Sequence, residues 1–287
     1  MTDLRERTIE TNGVKLHVIE AGPADGPMVL FHHGFPEFWY AWEKQIGYFA
    51  DRGYLVVVPD QRGCNLSEKP KGLAPYAFDE LAKDVVGLID FYKRDQIFLA
   101  GHDVGGAVSW WTAMKYPERI KRLVVMNSPH PSVLAKYLFG NRKQMEKSWY
   151  IFFFQIPGVA ELIASKDNYQ WMVDILTEES RPGAFTPEDL EKYRESYSQP
   201  HAMTSTINVY RASMQAPSPP PADVRIKMPM MLLWGMKDFA FLPELSGESI
   251  AYCEKGRLVE FPDCTHWITH EEADAINPLM DDFFKES

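Results

Sequence analysis

Apolar and polar positions alternate along RTIETNGVKLHVIEAG, on either side of Asn12-Gly13. A period of two predicts half-buried strands, and Asn-Gly predicts the tight turn that joins them as a hairpin. The pattern then changes. MVLFHHG (Met28–Gly34), YLVVVPD (Tyr54–Asp60), QIFLAGH (Gln96–His102) and RLVVMNS (Arg122–Ser128) are short, nearly unbroken apolar runs, as expected of parallel strands covered on both faces. Between them Trp39–Asp51, Phe78–Lys93 and Gly105–Tyr116 read as helices. The last stops at Tyr116-Pro117 because the residue before a proline avoids helical geometry. Strands alternating with helices predict an α/β fold with a mostly parallel sheet.

After Pro131 the rhythm is helical and rich in aromatics as far as about Ala216, with no strand pattern. PSPPPADVRIKMP forms a stiff, proline-rich return. MPMMLLWG (Met228–Gly235) and RLVEFPD (Arg257–Asp263) then read as strands, and Glu271–Phe284 as a closing helix. The expected organisation is one α/β domain, residues 1–130 and 222–287, interrupted by a helical insertion, residues 131–221, that sits as a lid over the strand ends.

Composition narrows the partners. The 287 residues are 45% hydrophobic and 24% charged, ordinary for a globular chain, and the formal net charge is −10. That charge opposes binding to nucleic acid or to an anionic membrane. The longest apolar run, Tyr150–Ala164, is broken by Gln155, Pro157 and Glu161 and is too short to span a bilayer. Cys64, Cys253 and Cys264 are odd in number and have no metal-site spacing. With no apolar leader in MTDLRERTIE, they are expected to be reduced thiols in a cytoplasmic protein.

The chemistry concentrates in LAGHDVGGAV, Leu99–Val108. Gly-x-Asp-x-Gly directly after a buried strand and directly before a helix has the spacing of a nucleophile elbow, with an acid, Asp103, where ester hydrolases carry serine or cysteine. The plainer alternative is a strand-to-helix turn with a capping aspartate. Placement favours the elbow, because the turn falls at the carboxyl end of the sheet, where open α/β folds bind ligands. Asp238 follows the next-to-last strand and His266 the last, which completes the order nucleophile, acid, histidine. His33-Gly34-Phe35-Pro36 follows the first parallel strand, so the Phe35 amide can stand beside that of Val104 as an oxyanion site.

HGFPEFWYAW, DQRGCNLSEKP, GHDVGG, WGMKDF and DCTHW together resemble the motifs of α/β-hydrolase-fold epoxide hydrolases, whose relatives are the haloalkane and fluoroacetate dehalogenases. The resemblance covers nearly the whole chain. It implies the α/β-hydrolase fold and two ring-opening tyrosines in the lid, at the positions of Tyr150 and Tyr210. Many fluoroacetate dehalogenases carry their orienting acid where this chain has Asn127, and histidine then tryptophan where it has Trp149-Tyr150. Haloalkane dehalogenases that resemble this chain, and many epoxide hydrolases, carry tryptophan directly after the nucleophile, where this chain has Val104. Valine keeps the backbone amide and is expected to reshape the pocket floor.

These residues define an expected reaction. Asp103 attacks a strained, saturated ring carbon, and Tyr150 and Tyr210 protonate the departing oxygen. His266, oriented by Asp238, activates water against the resulting ester, and a vicinal diol leaves. No metal or organic cofactor is required. Trp39, Phe152, Phe153 and Trp267 are candidate lining for a small, neutral epoxide substrate. The alternatives are a haloalkane or haloacetate dehalogenase and a hydrolase-fold binding protein without turnover.

Overall fold

A computed structural model describes residues 3–286. Strands β1 (Arg5–Thr11) and β2 (Val14–Ala21) form the expected hairpin. Asn12 and Gly13 both have positive φ, 47° and 72°, as a turn matched to sheet twist requires. There follow β3 (Met28–His32), α1 (Glu43–Ala50), β4 (Leu55–Pro59), α2 (Phe78–Phe91), β5 (Ile97–His102), α3 (Asp103–Lys115) and β6 (Ile120–Met126). The expected helix at Trp39 begins instead as a tight 3-10 turn, Trp39–Trp42.

Helices alone occupy the chain between β6 and the next strand: α4 (Pro131–Gly140), α5 (Arg142–Lys147), α6 (Trp149–Phe153), α7 (Val159–Glu178), α8 (Pro187–Ser198) and α9 (Ala202–Gln215). The chain then returns through β7 (Ile226–Gly235), α10 (Glu244–Ile250), β8 (Cys253–Phe261), α11 (Ile268–Glu271) and α12 (Ala273–Lys285).

The eight strands make one sheet in the order β1-β2-β4-β3-β5-β6-β7-β8. β1/β2 and β2/β4 pair antiparallel, and the remaining neighbours pair parallel. Every residue of β3, β4 and β5 is buried, because helices cover both faces of the sheet. One core layer lies under α2 and α3 and contains Leu99, Val108, Trp110 and Leu232. The other lies under α1 and α12 and contains Phe31, Trp42, Phe49 and Phe284. A third cluster joins Phe35, Phe38 and Trp267 from the sheet's loops to Ile151, Phe154 and Tyr210 from the helical segment. That apolar seam holds the segment against the loops that carry the site. Among the described residues no helix is long and apolar enough to cross a membrane.

Candidate active site

β5 runs straight into the elbow. Asp103 has φ 50°, a left-handed conformation that costs a non-glycine residue free energy and tends to persist where surrounding structure enforces it. Glycine is required on both sides. A Cβ on Gly101 would collide with the Gly105 carbonyl and Ser109, and one on Gly105 with the backbone carbonyls of His32 and His33. The helix begins at Asp103 itself, two residues before the expected Gly105, so the carboxylate sits at the positive end of α3.

The Asp103 carboxylate is held from two sides. Phe35 N–H donates to Oδ1 at 2.9 Å, and His266 Nε2 stands 3.6 Å from Oδ2. Val104 lies in the first turn of α3, where a backbone N–H has no intrahelical acceptor.

His266 Nδ1 donates to Asp238 Oδ2 at 2.8 Å. Asp238 is buried and fully occupied. Its Oδ1 accepts from the Ala240 and Phe241 amides at 2.6 and 3.0 Å, and Oδ2 also accepts from Asn127 Nδ2 at 2.7 Å. Burial pushes the Asp238 carboxyl up, but the charge and hydrogen bond of His266, with the hydrogen bonds of Asn127 and Ala240, hold it below the ordinary aspartate value. For His266 burial opposes the charged form, yet Asp238 and then Asp103 raise its pKa from 6.5 to about 9. Asp238 and Asp103 thus favour the charged form of His266.

Asn127 contributes more than the absence of an acid. Its Oδ1 accepts from Gly235 N–H at 2.9 Å while its Nδ2 holds Asp238, which ties the end of β6 to the loop after β7. Residues from the helical segment fasten that loop as well. Lys147 Nζ donates to the Asp238 and Phe239 carbonyls at 2.9 and 3.0 Å, and Gln144 Nε2 to the Ala240 carbonyl at 2.7 Å.

A second buried acid lies behind the elbow. Glu37 accepts from Tyr193 O–H at 2.8 Å, and His270 Nε2 and His102 Nδ1 stand at 2.7 and 3.1 Å from its oxygens. His102 Nε2 donates to the His266 carbonyl at 2.8 Å. Burial pushes the Glu37 carboxyl up, but hydrogen bonds from the two histidines hold it well below the usual carboxylate range. The partners are scattered from residue 37 to residue 270, so no local motif reveals this network.

Tyr150 on α6 and Tyr210 on α9 face each other edge to face, with ring centroids 5.9 Å apart, and both line the cavity at Asp103. Burial and the Asp103 charge raise both phenols well above their ordinary pKa. They are neutral donors at pH 7, and among the described residues no side chain holds either hydroxyl.

The four candidate lining residues are elsewhere. Trp267 is fully buried in the third cluster against Phe185 and Phe239. Trp39 packs edge-on to Phe38 and Tyr40, Phe153 packs on Trp149 and Trp171, and Phe152 joins the same apolar cluster. None of the four lines the cavities beside Asp103. Aromatic residues near a motif serve the seam between the helical segment and the sheet's loops as readily as a pocket, and sequence carries no direction for them. The residues that form the walls include Val104, Leu134, Phe239 and Trp171.

The chain belongs to the α/β-hydrolase fold family, whose sequence profile, described as alpha/beta hydrolase fold, matches residues 27–273. Its relatives group it with the epoxide hydrolases of that family. It is 35% identical to Epoxide hydrolase 1 of Caenorhabditis elegans over 96% of this chain and 69% of that one. It is 37% identical to the AB hydrolase superfamily protein YfhM of Bacillus subtilis (strain 168) over 99% of each chain. Among solved structures, an epoxide hydrolase of Bacillus megaterium in complex with an inhibitor superposes with a TM-score of 0.88 at 29% identity, covering 98% of this chain and 100% of that one.

Proposed function

We propose that the protein hydrolyses an epoxide to a vicinal diol through an ester on Asp103. The observation that carries this reading is a carboxylate nucleophile held between the Phe35 amide and His266, with two neutral tyrosines lining the same cavity. Residues 131–221 serve as the lid that brings the tyrosines over Asp103.

In the first step an Asp103 oxygen bonds to a ring carbon, the carbon–oxygen bond breaks, and a tyrosine gives its proton to the departing oxygen. The product is a hydroxyalkyl ester and a tyrosinate. Forming the ester removes the Asp103 charge that helps hold the proton on His266. The imidazolium then returns a proton to the tyrosinate and becomes a neutral base. In the second step His266 takes a proton from water as the water oxygen attacks the ester carbonyl. The Phe35 and Val104 amides stabilise the oxyanion. Collapse expels the diol, which is protonated as Asp103 and the imidazolium are restored, so the proton count closes. Asp238, Glu37 and His102 position the base.

Two lid tyrosines beside the nucleophile favour this over a dehalogenase, whose leaving halide needs no proton. The test is His266→Gln mixed with styrene oxide, followed by intact-protein and peptide mass spectrometry. The expected result is an adduct of substrate mass on the peptide containing Asp103, released slowly. A folded variant that forms no adduct there would exclude the covalent route.

A further inference from the structure

Two cavities open onto Asp103. One, of about 400 Å³, is walled by Val104, Ala107, Leu134, Leu138 and Val209. The other, of about 320 Å³, is walled by Phe35, Phe154, Trp171, Phe239 and His266. They share Asp103, Tyr150 and Tyr210, the three residues that would contact the reacting ring. Each is far larger than the roughly 30 Å³ that a water occupies and is of the size that holds a ligand by itself.

An epoxide with its oxygen at the tyrosines and a ring carbon at Asp103 therefore has room for a substituent on either side. On the epoxide reading above, we infer that the preferred substrate is an internal epoxide, substituted on both ring carbons. A large apolar arm occupies the first cavity and a shorter, neutral arm the second. The second arm is the shorter because His266 and Phe35 line that cavity alone, so the hydrolytic water must share it. It is neutral because Glu146, Asp174, Glu178 and Glu179 also line that side, while the Lys147 ammonium is engaged by the Asp238 and Phe239 carbonyls. The four carboxylates outnumber the cationic Lys147 and His266 on that side, so a carboxylate arm meets net repulsion there. Val104 is the specificity-determining side chain: it borders the first cavity beside the nucleophile, and its small volume leaves that cavity continuous with Asp103.

The experiment measures kcat/KM for styrene oxide, trans-β-methylstyrene oxide, trans-stilbene oxide and the phenylglycidate anion. The internal neutral epoxides should exceed styrene oxide by about tenfold, the scale on which filling an apolar pocket discriminates, and phenylglycidate should fall below it. Val104→Trp should lower the ratio of trans-stilbene oxide to styrene oxide by about tenfold. A one-armed substrate can still lodge its ring in the second cavity, whereas a two-armed one needs both. Ala135→Trp, at the exposed outer wall of the first cavity, should lower the same ratio and covers the case in which Val104→Trp does not fold. Preference for styrene oxide in the wild type, or an unchanged ratio in the folded variants, would overturn the two-armed substrate. Absence of diol from every epoxide, with no adduct on Asp103, would overturn the epoxide reading itself.

Discussion

Replacing Asn127 by alanine tests whether the hold on Asp238 matters for the second chemical step. Asn127 makes a 2.7 Å bond to the Asp238 carboxylate and satisfies the buried Gly235 N–H at 2.9 Å. A hydrogen bond to a charged group is worth about 1.5–3 kcal/mol, and an orphaned buried donor costs about 1–3 kcal/mol. The variant should therefore lose roughly 3–5 kcal/mol of stability, read by urea unfolding. Asp238 keeps two backbone donors on Oδ1, so it remains an anion, but Oδ2 loses its only fixed partner besides His266. The imidazolium formed as water attacks is then less well stabilised. Losing about 1.5–3 kcal/mol from that transition state slows ester hydrolysis roughly ten- to hundredfold. Asp103 has its own support from Phe35, so alkylation should be slowed less and the ester should accumulate. Rapid-quench mass spectrometry after mixing with styrene oxide measures both steps. A variant that hydrolyses the ester at the wild-type rate, or that loses alkylation selectively, would refute the role given to Asn127.

Tyr150→Phe and Tyr210→Phe should each slow alkylation by about tenfold or more, since positioned acids contribute roughly 10² to 10⁴ in rate; wild-type turnover of epoxides by the double variant would remove the tyrosines from the mechanism. The raised pKa of His266 makes stability depend on pH. Its contribution is complete below the ordinary value of 6.5 and is lost as pH rises through about 9. The stability advantage of wild type over His266→Gln should accordingly shrink by on the order of 3 kcal/mol across that window, and a constant difference would show that the imidazolium is absent.

The parallel strands were legible because burial on both faces leaves an apolar run that little else produces, and the hairpin because Asn12-Gly13 is nearly specific for its turn. The apolar pattern of β8 begins at Arg257, but the strand starts at Cys253. As the outermost strand it is largely exposed there, so Glu254 and Lys255 hide its beginning. α10 leaves no signature in the sequence because seven residues that include Gly247 carry no helical period. In the site, Asp103, Asp238 and His266 were legible because each follows a strand and the sheet gathers strand ends at one edge. Asn127 and Glu37 were not, because they act through partners more than 60 residues away in sequence. The direction of the aromatics around Trp39 and Trp267 depends on helix packing that no local pattern encodes.

The central claim is that Asp103 forms a bond to the substrate and that water attacks the ester rather than the epoxide. A single turnover in heavy-oxygen water distinguishes the two routes. With enzyme in excess, the first diol should carry ordinary oxygen taken from the Asp103 carboxylate, and the label should appear in the Asp103 peptide. Label in the first diol and none in the protein would mean direct hydration, with Asp103 acting only as a base, and would contradict the account.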